Sequence, residues 1–543
     1  MGRRIPLAAV LAAAALLLTG CIPFGGGSDA PDDGNGGSVA LPDDDQTLRV
    51  LAGSEVKDMV PLLEQAADDI GVKVAFEYMG TLEGTELVAS GGAVGRYDAT
   101  WFPNNRYLSL LPGASSAIES SVKIMSSPVV LGLRPEVVER LGWNETIPTW
   151  ADLSTAVAAG EFTYGMTNPA ASNSGFSALV AVATALSGTG SALTESDIDA
   201  VTPGLTSFFS GQELTAGSSG FLADTFVDDP GLVDGMINYE SVLMGLQTGG
   251  ESLSIVTPSD GVVTSDYPLT LLSSAEEAKR PLFDSLTEWL TTPDVQKQIV
   301  ADTHRRPGVP GIDTGSAFPS GILFETPFPN TLDVANTLIS TYLESARAPA
   351  QTIFVLDTSG SMSDEGRLGQ LQQALEDLAG ADESTAGGFA AFRSRERVSL
   401  IPFSDAPKTP VVIDVPSDDK SPALERIRVE ADALVADGGT AIYDSLEEAY
   451  RLAVGQKAER PDTFVSIVLM TDGANTDGAT IDDFELFHDD LGDDGDGIRT
   501  YVVLFGNGNV DELTRVADLT GGEVFDALSG DLSGAFQEIR GYQ

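Results

Sequence analysis

The run Asp357-Thr358-Ser359-Gly360-Ser361 places one carboxylate and two serine hydroxyls at alternate positions directly after the apolar stretch TIFVLD. If that stretch is a buried strand, the three oxygens converge in one turn at the carboxyl edge of a parallel sheet, where open α/β folds place their ligands. Thr440, in GGTAIYDS at the start of an amphipathic run, can add a third hydroxyl. Asp472, in the turn TDG after TFVSIVLM, can add a second carboxylate. All five donors are oxygen, a set that suits a hard cation: Mg²⁺ or Mn²⁺ in octahedral geometry, or Ca²⁺. A second acidic segment, HDDLGDDGDG from His488 to Gly497, alternates carboxylates with glycines but lacks the spacing and terminal Glu of an EF-hand, and reads as a solvated loop. His304 and His488 have no cysteine or metal-spaced partner near them, which argues against a zinc site or a histidine relay.

The elements that must position these donors are legible as an alternation. TIFVLD, RVSLIPF, TFVSIVLM and RTYVVLF are continuous apolar runs of strand length, as buried parallel strands require. RLGQLQQALEDLAG sets Leu368, Leu371, Leu375 and Leu378 on one helical face. The same strand and helix alternation fills residues 47–345, beginning with TLRVLAG, VKDMVPLLEQAADDIG and VKVAFEYMG. Ala348-Pro349-Ala350 separates the two blocks.

Taken in order, Asp357, Ser359, Ser361, Thr440 and Asp472 match one by one the metal-ion-dependent adhesion site of von Willebrand factor A (VWA) domains. The resemblance covers residues 350–543, with LTGGEVFDAL similar to the family's last strand. It implies a Rossmann-like domain with a central, mostly parallel sheet. The five donors leave the cation one open position, and the resemblance implies that an acidic side chain of a partner protein fills it.

Residues 47–345 resemble a bacterial solute-binding protein of the two-lobed (type II) periplasmic kind. LRVLAGSE opens the block as first strand and turn, GRYDATWFP and SSPVVLGLRPEVVERLGW resemble passages between lobes, and PLFDSLTEWLTTPDVQKQIV resembles the late helix of the first lobe. A small-molecule solute would sit between the lobes, held by short polar side chains and by N–H groups at helix starts. TNPAASNSGFSAL and INYESVL look like the loops that meet it, so the candidates are Asn168, Ser172, Ser174, Tyr239 and Glu240, with Ser54 after the first strand.

The chain has 543 residues, too many for one core, and a formal net charge of -51 that opposes approach to nucleic acid or anionic lipid. Its single cysteine, Cys21, follows Arg3, Arg4 and an apolar stretch from Ile5 to Leu18 that is too short to span a bilayer. That arrangement resembles a lipoprotein signal, with residues 1–20 removed and Cys21 lipidated. Residues 21–46, rich in Gly, Asp and Pro, read as a flexible tether. The expectation is a lipid-anchored protein on the extracellular or periplasmic side of the cell membrane, touching the membrane through its lipid alone. It would bind a protein partner through its metal site, and it is not expected to be an enzyme, since no nucleophile and base pair or P-loop is present. Two alternatives stand beside this: the substrate-capture receptor of an ABC importer, and a non-catalytic subunit of a metal-dependent enzyme assembly.

Overall fold

In Thr47–Ala52 every residue is buried, because the strand is flanked on both sides, parallel to Lys73–Tyr78 and to Ala99–Trp101. A computed structural model describes residues 41–42, 44–248, 251–319, 322–382, 384–506, 509–527 and 532–542. The expected signal segment, Cys21 and most of the expected tether lie outside the described residues. Among the described residues no helix is long and apolar enough to cross a membrane.

The first lobe is a five-stranded sheet, ordered Lys73–Tyr78, Thr47–Ala52, Ala99–Trp101, Pro268–Leu272, Ile118–Lys123. Pro268–Leu272 arrives from far along the chain and runs antiparallel to both its neighbours. The second lobe is a seven-stranded sheet centred on Met125–Leu133, which is buried at every position and pairs antiparallel with Gly235–Tyr239. Because the chain leaves the first sheet, builds the second and then returns, the result is two lobes with crossing segments between them. The helix Asn173–Ser187 is buried along most of its length in the second lobe, which explains its uncharged sequence. The segment expected to form one late helix forms two, Arg280–Leu290 and Pro293–Thr303. Pro293 lacks the N–H that a continuous helix would need, and it begins the second helix instead.

The C-terminal part holds a six-stranded sheet ordered Val411–Asp414, Arg397–Phe403, Ala350–Asp357, Phe464–Thr471, Arg499–Leu504, Val524–Asp526. All pairings are parallel except the edge pair Arg397–Phe403 with Val411–Asp414. Side chains alternate across it: Ile353 and Val355 pack with Leu446, Ala449 and Tyr450 of the helix Ile442–Glu459, while Phe354 and Leu356 pack with Leu371 and Leu375. The helix Arg367–Glu376 carries Leu371 and Leu375 inward, Leu378 is buried in the wider turn Asp377–Ala381, and Leu368 is only half-buried.

A buried ionic network ties the connecting segment to the C-terminal part. Arg347, just before the sheet begins, pairs with Glu396 at 2.7 Å, and Glu396 also receives Arg540 of the helix Leu532–Gly541 at 2.8 Å. The three side chains are 2%, 2% and 5% exposed, so each charge depends on the others for compensation.

Candidate functional site

Asp357 is the last residue of the central strand Ala350–Asp357, and Thr471 ends the neighbouring strand, so both meet at the carboxyl edge. The backbone N–H of Ser359 donates to Asp357 Oδ1 at 2.8 Å and the Thr471 hydroxyl donates to Oδ2 at 2.6 Å. Ser359 Oγ lies 3.1 Å from Ser361 Oγ, which donates to Asp472 Oδ1 at 2.9 Å. Four of the five expected donor residues therefore form one continuous chain of contacts. Thr440 belongs to the adjoining loop, which is laced to the same turn: the N–H of Gly360 donates to the carbonyl of Gly438 at 3.0 Å and that of Asp437 to the carbonyl of Thr358 at 2.8 Å. Gly438 sits at φ +83°, a left-handed conformation that glycine adopts without strain and that lets this loop fold back on the turn.

The electrostatics favour a cation. Burial pushes the Asp357 carboxyl above its ordinary range, hydrogen bonds from Thr471 and Ser359 oppose this, and the charge of Asp472 raises it further. Among the described residues Asp357 has no ion pair. Asp472, whose side chain is fully buried, accepts from Arg367 at 2.8 Å through Oδ2. Two buried carboxylates bridged by hydroxyls, with one balancing guanidinium, make an all-oxygen donor set that fits a hard divalent ion. The part played by Arg367 was not legible in the sequence, because its helix merely follows the turn.

A second site is a cavity of about 670 Å³ between the lobes. Ser54, Asn168 and Ser172 line it. Ser174 is buried behind them, its hydroxyl within hydrogen-bonding distance of Thr167, Ser172 and Ser219. Tyr239 is also buried: its hydroxyl accepts from Asn173 at 3.0 Å and lies 3.4 Å from Glu55 Oε1. Glu240 is held by a bidentate pair with Arg306, at 2.7 and 2.8 Å. The C-terminal part also reaches this cavity, through Glu523, Arg540 and Tyr542 among others. The acidic segment His488–Gly497 forms the end of the helix Ile481–Leu491 and a following turn, Gly492–Asp494.

Residues 48–302 match the family described as bacterial extracellular solute-binding protein, and residues 352–538 match the von Willebrand factor type A domain. The chain thus carries a two-lobed solute-binding-like domain followed by a VWA domain. No curated protein matches it. Among solved structures, the periplasmic binding protein AfuA from Actinobacillus pleuropneumoniae, with exogenous fructose-6-phosphate bound, is 12% identical with a TM-score of 0.43, over 55% of this chain and 98% of that one. The ferric binding protein from Campylobacter jejuni is 12% identical with a TM-score of 0.39, over 54% and 95%. A von Willebrand factor type A protein from Catenulispora acidiphila is 16% identical with a TM-score of 0.28, over 36% of this chain and 43% of that one.

Proposed function

We propose that this protein is a non-enzymatic binding protein, lipid-anchored through Cys21 at the outer side of a membrane, whose VWA domain captures a protein partner through a divalent cation. Asp357, Ser359, Ser361, Thr440 and Asp472 hold the ion, Mg²⁺ foremost. Bound there, it supplies a hard acceptor position for a carboxylate oxygen of the partner. The observation that carries this reading is the unbroken contact chain from Asp357 through Ser359 and Ser361 to Asp472, closed over two buried carboxylates. The match of residues 48–302 to an extracellular solute-binding family supports the location.

The test is thermal melting of the purified chain with Mg²⁺, with EDTA, and with Mg²⁺ restored after EDTA. Ligands that bind only the folded state raise its melting temperature. Mg²⁺ is expected to raise the melting temperature of the natural protein reversibly and to leave Asp357→Ala unmoved. An equal response from the variant defeats the assignment. Capture of partners from membranes with and without EDTA then tests the adhesive role.

A second reading, a solute receptor for an importer, is favoured by the cavity between the lobes. Its support disappears if the cavity binds no small molecule.

A further inference from the structure

The cavity between the lobes has three walls. The first lobe contributes Glu55 and Tyr78, the second Asn168, Phe221 and Asp224, and the VWA domain Glu523 and Tyr542. The Tyr542 ring stacks on Tyr501 of its own domain at 5.1 Å between centroids and meets the tilted ring of Phe221 of the second lobe at 4.6 Å, so it bridges the domains. Gly541 lies so close to the second lobe that a Cβ there would come 2.7 Å from Gly217 Cα. On the other side, the short helix Thr385–Ala390 packs against Thr81–Ser90 of the first lobe, bringing Phe389 to the cavity wall.

The charge on these walls is one-sided. Carboxylates come from all three: Glu55, Glu77 and Glu83, then Asp224, then Glu523. The cations are Lys57 and Arg540, and Arg540 is already consumed by Glu396. Glu77 pairs with Arg96 at 3.1 Å. Glu55 Oε2 is buried with no hydrogen-bond partner among the described residues, a condition that a water, an ion or a ligand in the cavity would relieve. Burial pushes the carboxyls of Glu55, Asp224 and Glu523 upward, against the opposing charge of Arg305 at Glu55 and of Lys57 at Asp224 and Glu523. Tyr78, Phe221, Phe389, Phe525 and Tyr542 add aromatic rings to the same lining. Carboxylates and ring faces together recognise an organic cation, whereas an anion would have to approach Glu55 against its charge.

We propose that this cavity binds a small organic cation, a guanidinium, quaternary ammonium or polyamine compound, and that the VWA domain forms one wall of the site through Glu523 and Tyr542. This rests on the cavity alone and is independent of the metal site.

The experiment is isothermal titration of the full chain, in EDTA so that the metal site plays no part, with arginine, choline and spermidine as cationic probes and fructose-6-phosphate and citrate as anionic ones. At least one cation is expected to bind saturably. Glu55→Gln and, from the VWA side, Glu523→Gln and Tyr542→Ala are each expected to weaken it roughly tenfold, the scale of a desolvated charge or cation–π contact. Melting curves identify any variant that has lost its fold, and the isosteric Glu523→Gln, which removes only a charge, decides in that case. Absence of cation binding, or saturable binding of the anions instead, overturns the proposal. Cation binding indifferent to both Glu523→Gln and Tyr542→Ala removes the VWA domain from the site and equally overturns it.

Discussion

The side-chain amide of Asn168, in the second lobe, donates to the main-chain carbonyl of Arg540 at 3.2 Å, joining residues 372 positions apart. Arg540 is itself anchored through its guanidinium to Glu396, and Glu396 to Arg347 at the domain junction. The cleft of one domain and the core of the other are therefore tied by a single arginine, with its backbone facing one way and its side chain the other.

Removing the shared anion of that network takes away the carboxylate that two buried guanidinium groups share. Glu396→Ala is expected to cost about 3–5 kcal/mol of stability, the scale for breaking a buried ion pair. Arg515→Ala, which breaks the exposed pair with Glu485, is expected to cost less than about 1 kcal/mol. Urea denaturation of the two variants makes the comparison, and equal losses would show that the network at Glu396 is not carrying buried charge.

Arg367 holds the oxygen of Asp472 that faces away from Ser361, so it competes with any cation for that carboxylate. Arg367→Ala is expected to tighten Mg²⁺ binding by roughly two- to tenfold, consistent with losing a partly screened ion pair. Calorimetric titration of Mg²⁺ into both proteins measures it. Weaker binding in the variant would mean that Arg367 orients Asp472 for the metal rather than neutralising it.

At position 541 two effects oppose each other. Alanine is the better helix former by roughly 0.5–1 kcal/mol, but its methyl would collide with the backbone at Gly217. Overpacking of this kind costs about 1–3 kcal/mol, so displacement is expected to win. Hydrogen exchange in Gly541→Ala should accelerate at residues 168–172 and 217–221 while the strand Ala350–Asp357 stays protected. Unchanged exchange at both segments would show that the contact yields without cost.

Glu523 gives a pH signature. Burial raises its carboxyl; the hydrogen bond from Tyr542 and the charge of Lys57 oppose the shift, and Asp224 adds to it. A carboxyl raised on folding binds its proton more tightly in the native state, so its ionisation opposes folding. Stability should therefore fall as pH rises from the ordinary glutamate range through the raised value, and then level off. Glu523→Gln is expected to flatten that decline in urea denaturation curves taken between about pH 4 and pH 7. A decline of the same steepness in the variant would assign it to other carboxyls, Glu55 and Asp58 among them, which burial also raises.

Much of the architecture was readable because it depends on short-range pattern. The runs at 350–357, 397–403, 464–471 and 499–504 are strands because a parallel strand covered on both faces is built mainly from apolar, β-branched side chains. The segment 281–300 reads as one helix because its apolar residues recur on both sides of Pro293, where the missing N–H ends one helix and begins another. Ser174, Tyr239 and Glu240 stand out in the sequence as polar residues at loop and helix starts. Local sequence could not show that Arg306 engages Glu240, or that Ser219 and Asn173 engage Ser174 and Tyr239.

By itself the sequence determined two α/β domains in order and a set of oxygen donors at the ends of strands, because strand termini and the turns after them are fixed by local hydrophobic pattern. Only the tertiary structure decided which charges would meet: Arg367 with Asp472, Arg540 with Glu396, and the carboxylates of three walls around one cavity. Such encounters join residues up to hundreds of positions apart, and their energy comes from burial and proximity, which no local pattern of residues encodes.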